Sequence, residues 1–193
     1  PSQASTSVLM TEDRNISANF TINSYYLLIS SEEGGFAEGN GTFEYGTYAN
    51  IYAIPDTGYV FNKWNGSGIS SPLESNTTVY MTGDRNISAS FDLNSYALAI
   101  SFNEGGSAQG GDLYLYGTEA NISASPSTGY SFAGWSGEGI TNPSQASTSV
   151  LITEDRNISA NFTINSYVLL ISSEEGGFAE GNGTFEYGTY ANI

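Results

Sequence analysis

The sequence predicts an all-β chain built from small modules in tandem, and three observations carry that expectation. Motifs recur at a fixed spacing: Asn23-Ser24-Tyr25 returns at Asn94-Ser95-Tyr96 and Asn165-Ser166-Tyr167, and the run that starts at Asp13-Arg14-Asn15 returns by the same step at Asp84 and Asp155. The main apolar runs alternate with period two, and helical periodicity is missing. Each complete module carries one aromatic strand, Tyr59-Val60-Phe61-Asn62-Lys63-Trp64 in one copy and Tyr130-Ser131-Phe132-Ala133-Gly134-Trp135 in the next. Each strand lies between a Pro-x-Thr-Gly turn and a loop rich in Gly and Ser.

The repeat sets the domain organisation. Residues 1–51 match residues 72–122 at 29 of 51 positions, but match residues 143–193 at 49, differing only at Met10/Ile152 and Tyr26/Val168. Modules of two kinds therefore alternate, and the longer period is two modules. This divides the chain into a closing part of a module at 1–22, complete modules at 23–93 and 94–164, and an opening part at 165–193. A module of this size buries a modest fraction of its surface, so contact with its neighbours adds stability.

In chain order, residues 7–10 lead into a polar stretch at 11–15, after which Ile16, Ala18 and Phe20 alternate inward; this reads as a hairpin. The copies use Ile87, Ala89 and Phe91, then Ile158, Ala160 and Phe162. Asn23-Ser24 joins one module to the next without a flexible linker, which predicts a semi-rigid array. The next strand places Tyr25, Leu27 and Ile29 on one face, as Tyr96, Leu98 and Ile100 do in the second module. Gly34-Gly35, Gly39 and Gly41 then predict bulges or a wide hairpin. Tyr45-Gly46-Thr47 turns the chain, and Ala49, Ile51 and Ala53 point inward up to Pro55. Tyr59 and Phe61 share a side of the aromatic strand, whereas Trp64 needs a bulge or the strand's end to reach it. The three rings are expected to be buried together, with small alanines making room for them.

The succession Tyr-x-Leu-x-Ile, Gly-Gly, Tyr-Gly-Thr, Gly-Tyr-x-Phe-x-x-Trp and Asp-Arg-Asn-Ile-Ser-Ala-x-Phe resembles the divergent internalin B-type repeat over essentially the whole chain. Such modules occur in tandem on secreted and surface proteins of bacteria and some archaea. The resemblance implies a β-grasp fold, in which a helix lies across a sheet. Residues 66–78 and 137–149, where that helix would stand, are rich in Gly, Ser, Pro and Asn and form helix poorly. The expectation is therefore a β-grasp-like module without a clear helix, or a small sandwich, with at most one short helical turn. For function the resemblance implies extracellular or cell-surface display, spacing and adhesion, without an active site.

Composition bounds the chemistry. Twenty acidic residues against four basic ones give a net charge of −16, which repels nucleic acid and anionic membrane. The chain has no Cys and no His, and hence no disulfide, thiolate nucleophile or imidazole base. Asp13-Arg14-Asn15 and its copies have the oxygens of a cation loop, but a turn needs the same residues and the arginine opposes a cation. Glu32-Glu33 is replaced by Asn103-Glu104 in the next copy, and Lys63 by Gly134, so neither is a catalytic or cross-linking device of the array. No cofactor is expected. Asn-x-Ser/Thr sequons such as Asn15, Asn76 and Asn121 are acceptors for glycosylation in a secreted protein.

The main reading is a non-enzymatic structural or adhesive array whose partners are its own neighbouring modules. Head-to-tail self-association through the incomplete modules at the two ends is a further expectation. The alternative is a carbohydrate-binding module, with surface polysaccharide held on a platform of Tyr59, Trp64, Tyr130 and Trp135.

Overall fold

A computed structural model describes residues 5–193; the first four residues of the partial module 1–22 lie outside the described residues. The first complete module contains seven strands: β1 (Ser24–Ser31), β2 (Gly35–Glu38), β3 (Gly41–Glu44), β4 (Tyr48–Pro55), β5 (Tyr59–Asn65), β6 (Asn76–Tyr80) and β7 (Arg85–Leu93). They form a four-stranded sheet in the order β3-β1-β7-β5 and a three-stranded sheet in the order β2-β4-β6. Odd-numbered strands make one layer and even-numbered strands the other, so every connection inside the module passes from layer to layer.

The second module repeats the plan with β8 (Ser95–Phe102), β9 (Gly106–Gln109), β10 (Asp112–Leu115), β11 (Glu119–Pro126), β12 (Tyr130–Ser136), β13 (Ser147–Leu151) and β14 (Arg156–Ile164). Its sheets run β10-β8-β14-β12 and β13-β11-β9.

β1 and β7, the first and last strands of the module, are parallel neighbours, and their outer partners β3 and β5 are antiparallel to them. This is the β-grasp arrangement of strands. The face that a helix would cover is covered instead by β2-β4-β6, and the chain has no helix among the described residues. Both halves of the expectation therefore meet in one object, a β-grasp-like sheet closed into a sandwich. A turn that bonds the Glu74 amide to the Ser71 carbonyl stands where a short helical turn was expected.

The alternations predicted from sequence face the interlayer core. Leu27 and Ile29 from β1, and Ile87 and Ala89 from β7, meet Ala49, Ile51 and Ala53 from β4 and Val79 from β6. Leu98, Ile158 and Ala160 meet Ala120, Ile122, Ala124 and Val150 in the same way.

Two sequence-based pairings are corrected. The runs on either side of the Asp84-Arg85 stretch do not form a hairpin: β6 pairs with β4, while β7 pairs with β5 and β1. The stretch is an arch between layers. Likewise β2 and β3 belong to different sheets, and Gly39 takes a φ of 131° at the crossing, where a Cβ would meet the Asn50 carbonyl and Ile51. Local sequence encoded the reversal of direction in both places but not the partner.

Side chains continue the ladder where strands run out. β7 begins opposite Leu27, and one residue earlier the Tyr26 amide donates to the Asp84 carboxylate at 2.8 Å. The Ala97 amide donates to Asp155 in the same way at 2.8 Å. On the other side of β1, past the start of β3, the Ile29 amide donates to Asn40 Oδ1 at 2.7 Å.

In the closing fragment the sequence that makes β14 occurs again at residues 14–22 without forming a strand. In the opening fragment only β15 (Ser166–Leu169) and β16 (Gly183–Glu186) form, paired with each other. β15 stops where β1 begins its pairing with β7.

Asp84→Ala and Asp155→Ala are each expected to cost about 1 kcal/mol by removing the hydrogen bond that continues the ladder. Thermal melts should register this as a fall of roughly 4–8 °C for a module of this size.

Candidate functional site

The aromatic strand was the first candidate, and a bulge governs its geometry. β5 pairs Phe61 with Phe91 and then Lys63 with Ser90, leaving Asn62 as the extra residue. The bulge turns Trp64 to the same side as Phe61, opposite Ala89, whose methyl group leaves room for the indole. Ser90 Oγ donates to the Lys63 carbonyl at 3.1 Å and fixes the irregularity. In the second module the register shifts at Ala133, and Asn161 Nδ2 holds the Gly134 carbonyl at 3.2 Å.

The tryptophans are core residues, 2% exposed for Trp64 and 5% for Trp135. Trp64 Nε1 donates to the Glu74 carbonyl and Trp135 Nε1 to the Gln145 carbonyl, each at 3.0 Å, so the buried donors are satisfied. Phe61 lies 5.7 Å from Trp64 and 6.0 Å from Phe91, centroid to centroid. Tyr59 and Phe61 are only half-buried at the edge of this cluster, so the expected burial of all three rings holds fully for the tryptophan alone. Tyr59 packs on Gly34 and Tyr130 on Gly105, where a Cβ would fall inside the ring. A sugar platform on Tyr59, Trp64, Tyr130 and Trp135 would need open indole faces, and here the indoles are enclosed.

In the charged loops the arginines are engaged by their own neighbours. Arg156 is folded back against Glu154 at 2.8 Å and Glu138 at 3.4 Å, and Arg85 donates to Ser67 and Thr82. No group of three or more His, Cys, Asp or Glu that could hold a metal occurs among the described residues. Lys63, Glu32 and Glu33 lie on the surface.

Two features were missed in the sequence. The first is the glycine–tyrosine contact at the joint between modules, whose short linker alone was legible. A single residue, Asn94, separates β7 from β8; its amide donates to the Gly58 carbonyl and its carbonyl accepts from the Tyr116 amide, both at 2.8 Å. Gly58 has a φ of 87°, and a Cβ there would fall inside the Tyr116 ring, so the tyrosine of one module seats directly on the glycine turn of the module before it. Asn165, Gly129 and Tyr187 repeat the arrangement. The signal was available as Gly58 and Tyr116 each recurring at the module period.

The second is the outer face of β2-β4-β6. Register places Tyr48 beside Tyr80, Asn50 beside Thr78, Tyr52 between Glu38 and Asn76, and Ile54 beside Phe36. The Tyr48 and Tyr80 rings lie 4.9 Å apart. All five large side chains in these rows are exposed, Tyr48 at 64%.

The family model of the divergent InlB B-repeat domain matches this chain twice, at residues 25–95 and 96–166. No curated protein and no solved structure matches it.

Trp135→Ala is expected to cost about 3–5 kcal/mol in its own module. Trp64, then the one indole left, should report a nearly unchanged unfolding midpoint for the first module. Tyr116→Ala should broaden the spread of inter-module orientations seen by residual dipolar couplings. Tyr45→Ala, at the equivalent place in a module with no glycine turn seated on it here, should leave that spread unchanged.

Proposed function

The chain belongs to the divergent InlB B-repeat family, and from that premise we propose that it is a non-enzymatic structural array displayed outside the cell, acting as a stalk or spacer that transmits tension. Surface proteins are the usual setting of such repeats. No helix is long and apolar enough to cross a membrane among the described residues.

The parallel pairing of first and last strands carries this reading. Leu27–Ser31 of β1 lie against Arg85–Ala89 of β7, and Leu98–Phe102 of β8 against Arg156–Ala160 of β14. Tension arriving at the start of β1 and leaving at the end of β7 pulls these neighbours in opposite directions along their length. The hydrogen bonds between them are then loaded together, in shear, rather than one after another. The one-residue connection at Asn94 passes that load directly to the next module. Acidic charge supports the same reading, because it keeps a long exposed array soluble and away from anionic surfaces.

Force spectroscopy on the whole chain tests this. Pulling through the two ends should give two similar, discrete unfolding steps, each releasing roughly 3.3–3.6 Å of contour per residue of a module. Loading the first module across its sheet, through cysteines introduced at the exposed positions Leu28 and Asn86, which face each other on β1 and β7, should open it at clearly lower force. Equal forces in the two directions, or gradual extension without steps, would overturn the proposal.

A further inference from the structure

We infer that the outer face of β2-β4-β6 is a binding platform for an uncharged polysaccharide chain. The argument begins with the other module, which has the same fold and the same kind of core. There Tyr48 and Tyr80 are replaced by Glu119 and Leu151, Tyr52 by Ser123, and Phe36 and Ile54 by Ser107 and Ser125. That face is polar apart from Leu151. Five exposed aromatic and aliphatic side chains are therefore not something the fold requires, and their gathering on one sheet face marks an interaction site.

The chemistry of the patch narrows its occupant. In a chain of net charge −16, the face carries one charged group, Glu38, in its third row. A polyanion would be repelled by the rest of the surface, and a polycation would find more carboxylates elsewhere. Between and beside the rings stand the carboxamides of Asn50 and Asn76, the hydroxyl of Thr78 and the phenol groups themselves. Sugar rings present an apolar C–H face within a rim of hydroxyls, and this surface offers ring faces within a rim of hydrogen-bonding groups.

Shape points to a chain rather than a compact molecule. The platform is the open side of a sheet, and Tyr48 and Tyr52 lie four residues apart on one strand, about 13 Å. That separation exceeds a single sugar ring. The residues of the platform recur in sequence: Phe178 and Tyr190 stand at the positions of Phe36 and Tyr48 two modules further on. Weak contacts repeated along an array combine into strong retention on a polymer.

The second module supplies substitutions that the fold accepts. Phe36→Ser and Tyr52→Ser install its residues, and Tyr48→Ser removes the most exposed ring. Affinity electrophoresis of the whole chain through gels containing soluble mixed-linkage β-glucan, xyloglucan, galactomannan or starch, together with pull-down on cellulose and chitin, should show retention by at least one of these neutral polymers. The triple variant should lose at least tenfold in affinity while its melting curve stays intact. Retention by alginate but by none of the neutral polymers would overturn the inference, as would no retention at all or retention unaffected by the triple variant. Concentration-dependent dimerisation that the triple variant abolishes, without polysaccharide retention, would assign the face to a second copy of the chain and equally overturn it. The force measurements do not depend on this face, so the two proposals fail separately.

Discussion

The position of the last strand of each module, held between the first strand and the aromatic strand, is the constraint on which the rest depends. One nine-residue sequence demonstrates it. As β14, at 156–164, it lies between β8 and β12 with Ile158 and Phe162 buried at 3% and 4% exposure. The same nine residues at 14–22 find neither neighbour, form no strand, and leave Ile16 and Phe20 exposed at 69% and 92%. Propensity and alternation are identical in the two places. What differs is the supply of partners, so strand formation here is a tertiary event. β15 repeats the lesson by halves, keeping only the residues that pair with β16.

The same constraint explains which parts of the fold were legible. Facing could be read directly, because period-two alternation needs only neighbouring residues: Leu27 and Ile29, Ala49, Ile51 and Ala53, and Ile87, Ala89 and Phe91 all turn inward as their spacing requires. Pairing could not. Strands that follow one another lie in opposite layers, so a rule that joins adjacent runs into hairpins fails at the Gly39 crossing and at the Asp84 arch. The parallel closure of β1 on β7, across most of the module's length, has no local signature. The missing helix was legible, because Gly, Ser and Pro in that segment leave little else to form; what replaced it, a second sheet, was not.

At the candidate site, the spacing of Phe61 and Trp64 required either a bulge or the strand's end, since an odd separation cannot share one face of a regular strand, and the structure takes the bulge. The tryptophans of the candidate sugar platform are enclosed for a related reason. A module of about 70 residues has few large groups to enclose, and its tryptophan is the first to go inside. Tyr48, Tyr52 and Tyr80 stand at outward positions, which carry no information about the core. Their meaning emerges only when the two modules are compared row by row, with the register known.

That comparison also separates what each part of the module does. Between the two complete modules the core rows, the bulge and the glycine–tyrosine joint are kept, and the outward rows of the three-stranded sheet change from aromatic to mostly polar. The core sets stability and the joint ties one module to the next, and both tolerate little change in volume. The outward rows are free of both duties. An array with aromatic faces on every module would present apolar patches in close succession along one protein, a composition that favours aggregation. Setting a Ser- and Asn-bearing module between aromatic ones separates the patches by a full module and keeps the charge spread along the chain. Alternation of the two module types is thus a physical compromise, in which one scaffold repeated without change in length carries two kinds of surface.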